Sequence, residues 1–124
     1  MPTKKILIVD DEENIQTVVQ FGVQMVVDWD VLIASSGDQG IRTACDAKPD
    51  AILLDVMMPD MDGIATFKAL QADPQTAQIP VIFLTAKAQT SERRQFHDLG
   101  VSGVITKPFN SLDLPDLIAK ILDW

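Results

Sequence analysis

Apolar positions along the chain follow two rhythms. Ile6-Leu-Ile-Val9 is a short β-branched run that stops at Asp10-Asp11. Ile15, Val18, Val19, Gly22, Val23 and Val26 then recur three and four residues apart, which marks one face of a helix. Trp29 to Ala34 is a second strand candidate. Ile41, Ala44 and Cys45 predict a short helix closed by Pro49. Ala51-Ile-Leu-Leu54 is a third strand ending at Asp55, and Ile64, Phe67 and Leu70 predict a helix that ends near Pro74. Pro80-Val-Ile-Phe-Leu84 is a fourth strand ending at Thr85, followed by a polar helix over 91–99 with Phe96 and Leu99 as its apolar positions. Gly103-Val-Ile-Thr106 is a fifth strand ending at Lys107-Pro108. Leu114, Leu117, Ile118, Ile121 and Leu122 predict a last amphipathic helix, with Ser111 as the expected N-cap and Pro115 in the first turn.

Strand and helix alternate five times, which predicts an α/β fold with a parallel sheet covered on both faces. The unbroken apolar character of strands one, three and four marks them as central. At 124 residues the chain is expected to form one domain over residues 1–124, with no linker or further domain within it. Apolar residues make up 47% and charged residues 23%, the balance of a folded globular chain. The net charge of −8 would be repelled by a phosphate backbone or an anionic membrane surface, so neither nucleic-acid binding nor membrane insertion is expected. Cys45 is the only cysteine and His97 the only histidine, which rules out an internal disulfide and a Cys- or His-based zinc site. Met1-Pro-Thr-Lys-Lys runs into only four apolar residues, too few for a signal peptide, and no stretch is long enough to cross a bilayer. The expected location is cytoplasmic.

In open parallel sheets ligands bind beyond the carboxyl ends of the strands. Those ends carry Asp10, Asp11, Asp55, Thr85 and Lys107. Three neighbouring carboxylates repel one another unless a cation lies among them. A hard divalent ion that keeps several waters, Mg²⁺ or Mn²⁺ in its place, suits that donor set, and Lys107 adds a positive group for a phosphate. The set reads as a phosphoryl-transfer site. Asp55 is the carboxylate nucleophile, accessible through the turn that Met57-Met-Pro-Asp-Met-Asp-Gly63 makes after it.

Four pieces, in order and in register across the chain, then carry a resemblance: Ile6-Leu-Ile-Val-Asp-Asp-Glu12, Leu53-Leu-Asp-Val-Met-Met-Pro59 with Asp62-Gly63, Leu84-Thr-Ala86, and Thr106-Lys-Pro-Phe109. The sequence resembles the receiver domain of two-component response regulators. The fold expected is a single doubly wound five-stranded parallel sheet with five helices, in the flavodoxin-like strand order 2-1-3-4-5. The resemblance implies that Asp55 is the phosphoacceptor. Asp11 matches the direct Mg²⁺ ligand, Asp10 its acidic partner, and Met57 a backbone carbonyl on the metal. Thr85 matches the switch hydroxyl, Ala86 a backbone N–H donor to the phosphoryl group, and Lys107 the phosphate-pairing lysine. Pro108 matches a proline commonly preceded by a cis peptide. Where many receivers carry Tyr or Phe, three residues before the lysine, this chain has Val104, and it contains no tyrosine. The Thr85 step is therefore expected without the aromatic rotamer change.

With the last predicted helix ending at Trp124, the receiver is expected to stand alone. It would take a phosphoryl group from a histidine kinase or histidine phosphotransfer protein and lose it slowly by hydrolysis, so that it is a phosphoacceptor and not a turnover enzyme. Its output would be a changed surface for an unknown downstream protein. The alternative is a pseudo-receiver that works as a binding module without phosphorylation. A haloacid-dehalogenase-type phosphatase wants an Asp-x-Asp that Asp55-Val-Met57 lacks, and no Gly-rich phosphate loop follows Ile6–Val9 to bind a dinucleotide. Asp60-Met-Asp62-Gly63 reads as turn chemistry, His97 as solvated, and Cys45 as a small core residue. Phe21 and Met25 lie one turn apart and off the apolar stripe of their helix. They are either partly buried against a neighbouring helix or a docking patch for the phosphodonor.

Overall fold

The computed structural model describes residues 3–58, 61–86 and 89–124. Strand and helix alternate as β1 Lys5–Val9, α1 Glu13–Val26, β2 Asp30–Ala34, α2 Gly37–Ala47, β3 Ala51–Asp55, α3 Gly63–Ala72, β4 Val81–Thr85, α4 Thr90–Leu99, β5 Gly103–Thr106, a 3₁₀ turn Ser111–Asp113 and α5 Leu114–Leu122. The sheet is parallel throughout in the order β2-β1-β3-β4-β5. The expected topology holds, and the three continuously apolar runs are the three inner strands.

Alternation of side chains along each strand sends apolar residues to both faces. Leu7, Val9, Ile52, Leu54 and Phe83 face one layer, where they meet Ala44 of α2, Phe67 and Leu70 of α3, and Phe96 of α4. Phe83 meets Phe67 and Phe96 edge-on, at 5.8 and 5.1 Å between ring centroids. Ile6, Ile8, Leu53, Ile82 and Leu84 face the other layer, against Val19 and Val23 of α1 and Leu114 and Ile118 of α5. Val9 pairs with Ala34 and Leu54, Asp55 with Leu84, and Thr85 with Thr106, so the strand ends fall at one level.

Local chemistry sets most helix limits. Ser36 caps α2 by accepting from Gln39 N at 3.1 Å, and Asp62 caps α3 by accepting from Ala65 N at 2.8 Å. Gly100 ends α4 in the left-handed region, φ 102°, where glycine carries no Cβ penalty. Two expectations need correction. Ser111 does not cap the last helix; it is the first residue of the 3₁₀ turn, which Asn110 caps by accepting from Leu112 N at 2.9 Å, while Asp113 holds the N-cap position of α5 without a side-chain cap bond. The chain reaches α5 through that turn because Pro115, at the start of α5, needs no N–H partner there. Cys45 is only partly buried, with its Sγ 3.5 Å from Asp73 Oδ2 beyond the end of α3. Burial and the Asp73 carboxylate push its thiol pKa up. It faces the seam between α2 and α3 and not the sheet, because α2 turns Ala44 inward. At the opposite end of the sheet from the strand carboxyl ends, Trp29 and Trp124 stack edge-on at 5.4 Å, with Lys4 Nζ 4.7 Å from the Trp124 ring centre.

α1 and the 3₁₀ turn come unusually close at Gly22. A Cβ built there would lie 1.9 Å from the Ser111 carbonyl oxygen, a backbone atom that cannot rotate away. Gly22→Ala should therefore cost about 1–3 kcal/mol by forcing the turn off the helix. Gln24→Ala, on the exposed side of α1, should cost less than about 0.5 kcal/mol. Denaturant midpoints of the two variants test this, and equal midpoints would contradict the packing described.

Candidate functional site

Three inner strands and β5 deliver their polar ends to one rim. Asp10 follows β1 and is fully buried. Its N–H donates to Ala34 O at 3.0 Å, which ties it to the end of β2. Its Oδ1 accepts from Glu12 N at 2.9 Å, and its Oδ2 accepts from Lys107 Nζ at 3.1 Å. Asp55 is the last residue of β3 and is 2% exposed. Its Oδ1 accepts from Met57 N at 3.2 Å and from Lys107 Nζ at 3.3 Å. Its Oδ2 is buried without a hydrogen-bond partner. Asp11 is exposed at the outer edge, and carboxylate oxygens of Asp10, Asp11 and Asp55 all lie within 4.8 Å of one another.

Lys107 is held at both ends. Its N–H donates to Thr85 O at 2.8 Å, while its ammonium reaches Asp10 and Asp55, with Glu12 Oε1 at 3.9 Å. Thr85, buried, ends β4, and Ala86 is exposed just after it. The peptide between Lys107 and Pro108 is cis, as the resemblance implied. Every residue expected at the rim is at the rim. Pro59 and Asp60, part of the motif and turn expected after Asp55, lie outside the described residues; Asp62 serves as the α3 cap.

The electrostatics follow from this crowding. Burial, and next the Asp10 charge, raise the Asp55 carboxyl to about 6; Lys107 and the Met57 N–H oppose them. Burial alone would depress the Lys107 ammonium, but its hydrogen bond to Asp10 and the charges of Asp10 and Asp55 outweigh it, so its pKa stands above the ordinary value. One ammonium among Asp10, Asp55 and the nearby Asp11 and Glu12 leaves the rim short of positive charge. The unpartnered Asp55 Oδ2 and the convergent oxygens of Asp10 and Asp11 therefore fit a hard divalent cation, with the exposed Asp11 on the open side.

Two contributors act through contacts that the sequence does not show: Gly63 stands in the motif after Asp55 without revealing what it packs on, and Gln16 gives no signal at all. Gly63 sits where a Cβ would come 2.4 Å from Asp55 O and 2.7 Å from Val56 Cα, and its N–H donates to Val56 O at 3.0 Å. Its lack of a side chain lets α3 press on the exit of β3. Gln16 is buried in α1, and its Nε2 donates to Asp10 O at 2.7 Å. Such contacts cross between segments and leave no local pattern.

Other expectations resolve by position. Phe21 and Met25 are 53% and 66% exposed, so partial burial against a neighbouring helix does not account for them. The His97 imidazole is solvated. Val104 is half-buried on β5 and lines a groove of about 620 Å³ with Arg93, Thr106 and Ile121. Arg93 Nη2 donates to Thr106 Oγ1 there at 3.1 Å. That groove lies between α4 and α5, and Thr106 and Pro108, on either side of Lys107, line its end.

Comparison with known proteins agrees with this geometry. A family model described as the response regulator receiver domain matches residues 6–119. The chain is 39% identical over 119 residues to the alkaline phosphatase synthesis transcriptional regulatory protein PhoP of Bacillus subtilis, covering 96% of this chain and 48% of that protein. It is 39% identical over 118 residues to the transcriptional regulatory protein CpxR of Escherichia coli, covering 95% of this chain and 49% of that protein. The chain thus spans about half the length of these curated relatives. Among solved structures, the chemotaxis protein CheY4 of Vibrio cholerae superposes with a TM-score of 0.89 at 28% identity, covering 97% of this chain and 99% of that one. The receiver domain of a sensor histidine kinase from Pseudomonas aeruginosa, with a magnesium ion coordinated in its active-site cleft, superposes with a TM-score of 0.86 at 27% identity, covering 99% of this chain and all of that one.

The raised Asp55 carboxyl has a consequence for stability. An unfolded aspartate titrates near ~3.9, so between about pH 4 and pH 6 the native state holds a proton that the unfolded chain has released. Stability contributed by this group falls as pH rises through that window and stays lowered above it. In EDTA, Asp55→Asn should stabilise the protein at neutral pH by at most about 3 kcal/mol, and the gain should vanish towards pH 4. Thermal midpoints of both proteins across pH 4–8 check this; a gain independent of pH would contradict it.

Proposed function

The chain belongs to the response regulator receiver domain family, and on that premise we propose that Asp55 is the phosphoacceptor of a two-component receiver formed by residues 1–124. The observation that carries this reading is the Asp55 carboxylate itself: at the end of a central strand, bonded through Oδ1 to Met57 N and Lys107 Nζ, with Oδ2 left without a partner. In the step proposed, an oxygen of the Asp55 carboxylate attacks the phosphorus of a phosphohistidine on a histidine kinase or phosphotransfer protein. The P–O bond forms as the P–N bond breaks, and the electron pair returns to the imidazole nitrogen.

Each neighbour has a part that its position supports. Lys107 Nζ, 3.3 Å from Asp55 Oδ1, pairs with the arriving phosphoryl charge. The Thr85 hydroxyl and the Ala86 N–H donate to its oxygens from the end of β4. Asp10, Asp11, Asp55 and the Met57 carbonyl would hold Mg²⁺ or Mn²⁺. That ion, when bound, supplies positive charge against the oxygens in transit. The protein then acts as a signalling acceptor that loses its phosphoryl group slowly to water. It does not turn over a separate substrate.

Among the described residues no helix is long and apolar enough to cross a membrane, which supports a cytoplasmic place of action. The exposed Phe21 and Met25 on α1 support a docking contact for the phosphodonor. No observation favours a phosphorylation-independent binding module, since the whole rim is assembled. The downstream partner is a protein that reads the altered surface. With Val104 too short to exchange an inward for an outward ring position, that change is carried by Thr85 and the segment after it.

Two measurements test this reading. With acetyl phosphate and Mg²⁺, the wild type should gain one base-labile acyl phosphate and Asp55→Asn none; full labelling of the variant would place the acceptor elsewhere. Phe21→Ala should slow transfer from the cognate protein donor while leaving acetyl-phosphate labelling unchanged, because a docking side chain touches the donor and not the reacting atoms. Equal slowing with both donors would remove Phe21 from the docking surface.

A further inference from the structure

Buried polar side chains that do not belong to the acidic rim are few among the described residues, and two of them serve the ends of α3. Thr66 Oγ1 donates back to Asp62 O at 2.9 Å, and Thr76 Oγ1 donates to Leu70 O at 2.6 Å at the end of the same helix. Gln16 does neither. It is 8% exposed, lies in the first turns of α1, and spends its carboxamide on two other segments. One Nε2 hydrogen goes to Asp10 O at 2.7 Å, and the other goes to Ser35 Oγ at 3.1 Å. Ser35 follows the last residue of β2, and its own N–H donates to Gln39 Oε1 at 2.7 Å, in the first turns of α2.

This bracket closes a gap in the turn that presents the acids. The N-cap residue of α1, Glu12, makes no side-chain cap hydrogen bond, so the helix start is not fastened in the usual way. Both backbone groups of Asp10 are nonetheless tied to the end of β2. The N–H goes directly to Ala34 O at 3.0 Å, and the carbonyl goes through Gln16 to Ser35. With the Asp10 backbone fixed on both sides, the Asp11 carboxylate one residue on is placed within reach of Asp10 and Asp55.

We propose that Gln16 is a positioning residue for the acidic rim: its carboxamide clamps the Asp10-Asp11 turn to the end of β2 and thereby sets the rim's affinity for a divalent cation. The proposal rests on the acceptor reading above for the identity of the cation, but its structural half does not. Outer contacts of this kind commonly govern metal affinity by about 10- to 100-fold. A side chain without donors at position 16 leaves the Asp10 carbonyl unpaired in a buried setting, and the turn then relaxes.

The test uses Gln16→Met, which keeps length and apolar bulk but removes both donors, and Ser35→Ala, which removes only the far anchor. In EDTA, amide exchange at Asp11, Glu12 and Ser35 should accelerate in Gln16→Met while exchange in β3 and β4 is unchanged. Calorimetric Mg²⁺ titration should show about tenfold weaker binding in Gln16→Met and an intermediate loss in Ser35→Ala. Acetyl-phosphate labelling of Asp55 in Gln16→Met should need about tenfold more Mg²⁺ to reach half of its own maximal rate. Wild-type Mg²⁺ affinity in both variants overturns the proposal, even with a lowered thermal midpoint, since Gln16 would then be structural only. If the wild type itself binds no Mg²⁺, the cation half of the acceptor reading fails with it, and the exchange data identify that case by still showing the loosened turn.

Discussion

A single ammonium group holds the working edge of this molecule together. Lys107 Nζ lies 3.1 Å from Asp10 and 3.3 Å from Asp55, partners that are 97 and 52 residues away in sequence. Its backbone N–H is fixed to Thr85 O. Through one residue the ends of β1, β3, β4 and β5 are joined, and two carboxylates that would otherwise repel each other in a buried setting share one positive charge. That compensation is partial. Asp55 remains raised to about 6 and keeps a buried oxygen without a partner, so the rim is left poised for more positive charge. An edge of this kind is a poor place to gain stability and a good place to receive a phosphoryl group with its cation.

The scaffold makes that edge affordable. Each inner strand is buried on both faces, and the Phe67, Phe83 and Phe96 rings lock α3 and α4 against β4. The rigid part ends where the strands end, and the polar residues begin at the next position. Where a segment must pass close by, glycine removes the obstacle: Gly63 lets α3 lie against the exit of β3, and Gly22 lets α1 lie against the turn before α5. Those two contacts set the levels of β3 and of the helix that carries Phe21 and Met25.

Much of this was readable along the chain. Short β-branched runs alternating with amphipathic segments identify a parallel α/β fold, and unbroken apolar runs identify the inner strands, because only a strand buried on both faces can be apolar at every position. Asp10, Asp11, Asp55, Thr85 and Lys107 stood out because each sits where an apolar run stops, and strand ends in such a sheet share one rim. Ser111 and Cys45 went astray for a common reason. A cap and a small apolar side chain each depend on the angle at which the chain arrives, and neither residue type encodes that angle.

The sequence by itself determined the order of elements, the strand ends and the charges gathered there, because periodicity and composition act locally and need no knowledge of what lies opposite. Only the tertiary structure decided that Lys107 divides itself between Asp10 and Asp55, that Asp55 Oδ2 is left unpaired, that Gln16 fastens the Asp10 turn to β2, and that Phe21 and Met25 stay uncovered. Those are contacts between segments far apart in the chain. Their distances are set by how layers pack, and packing is a property of all the elements at once.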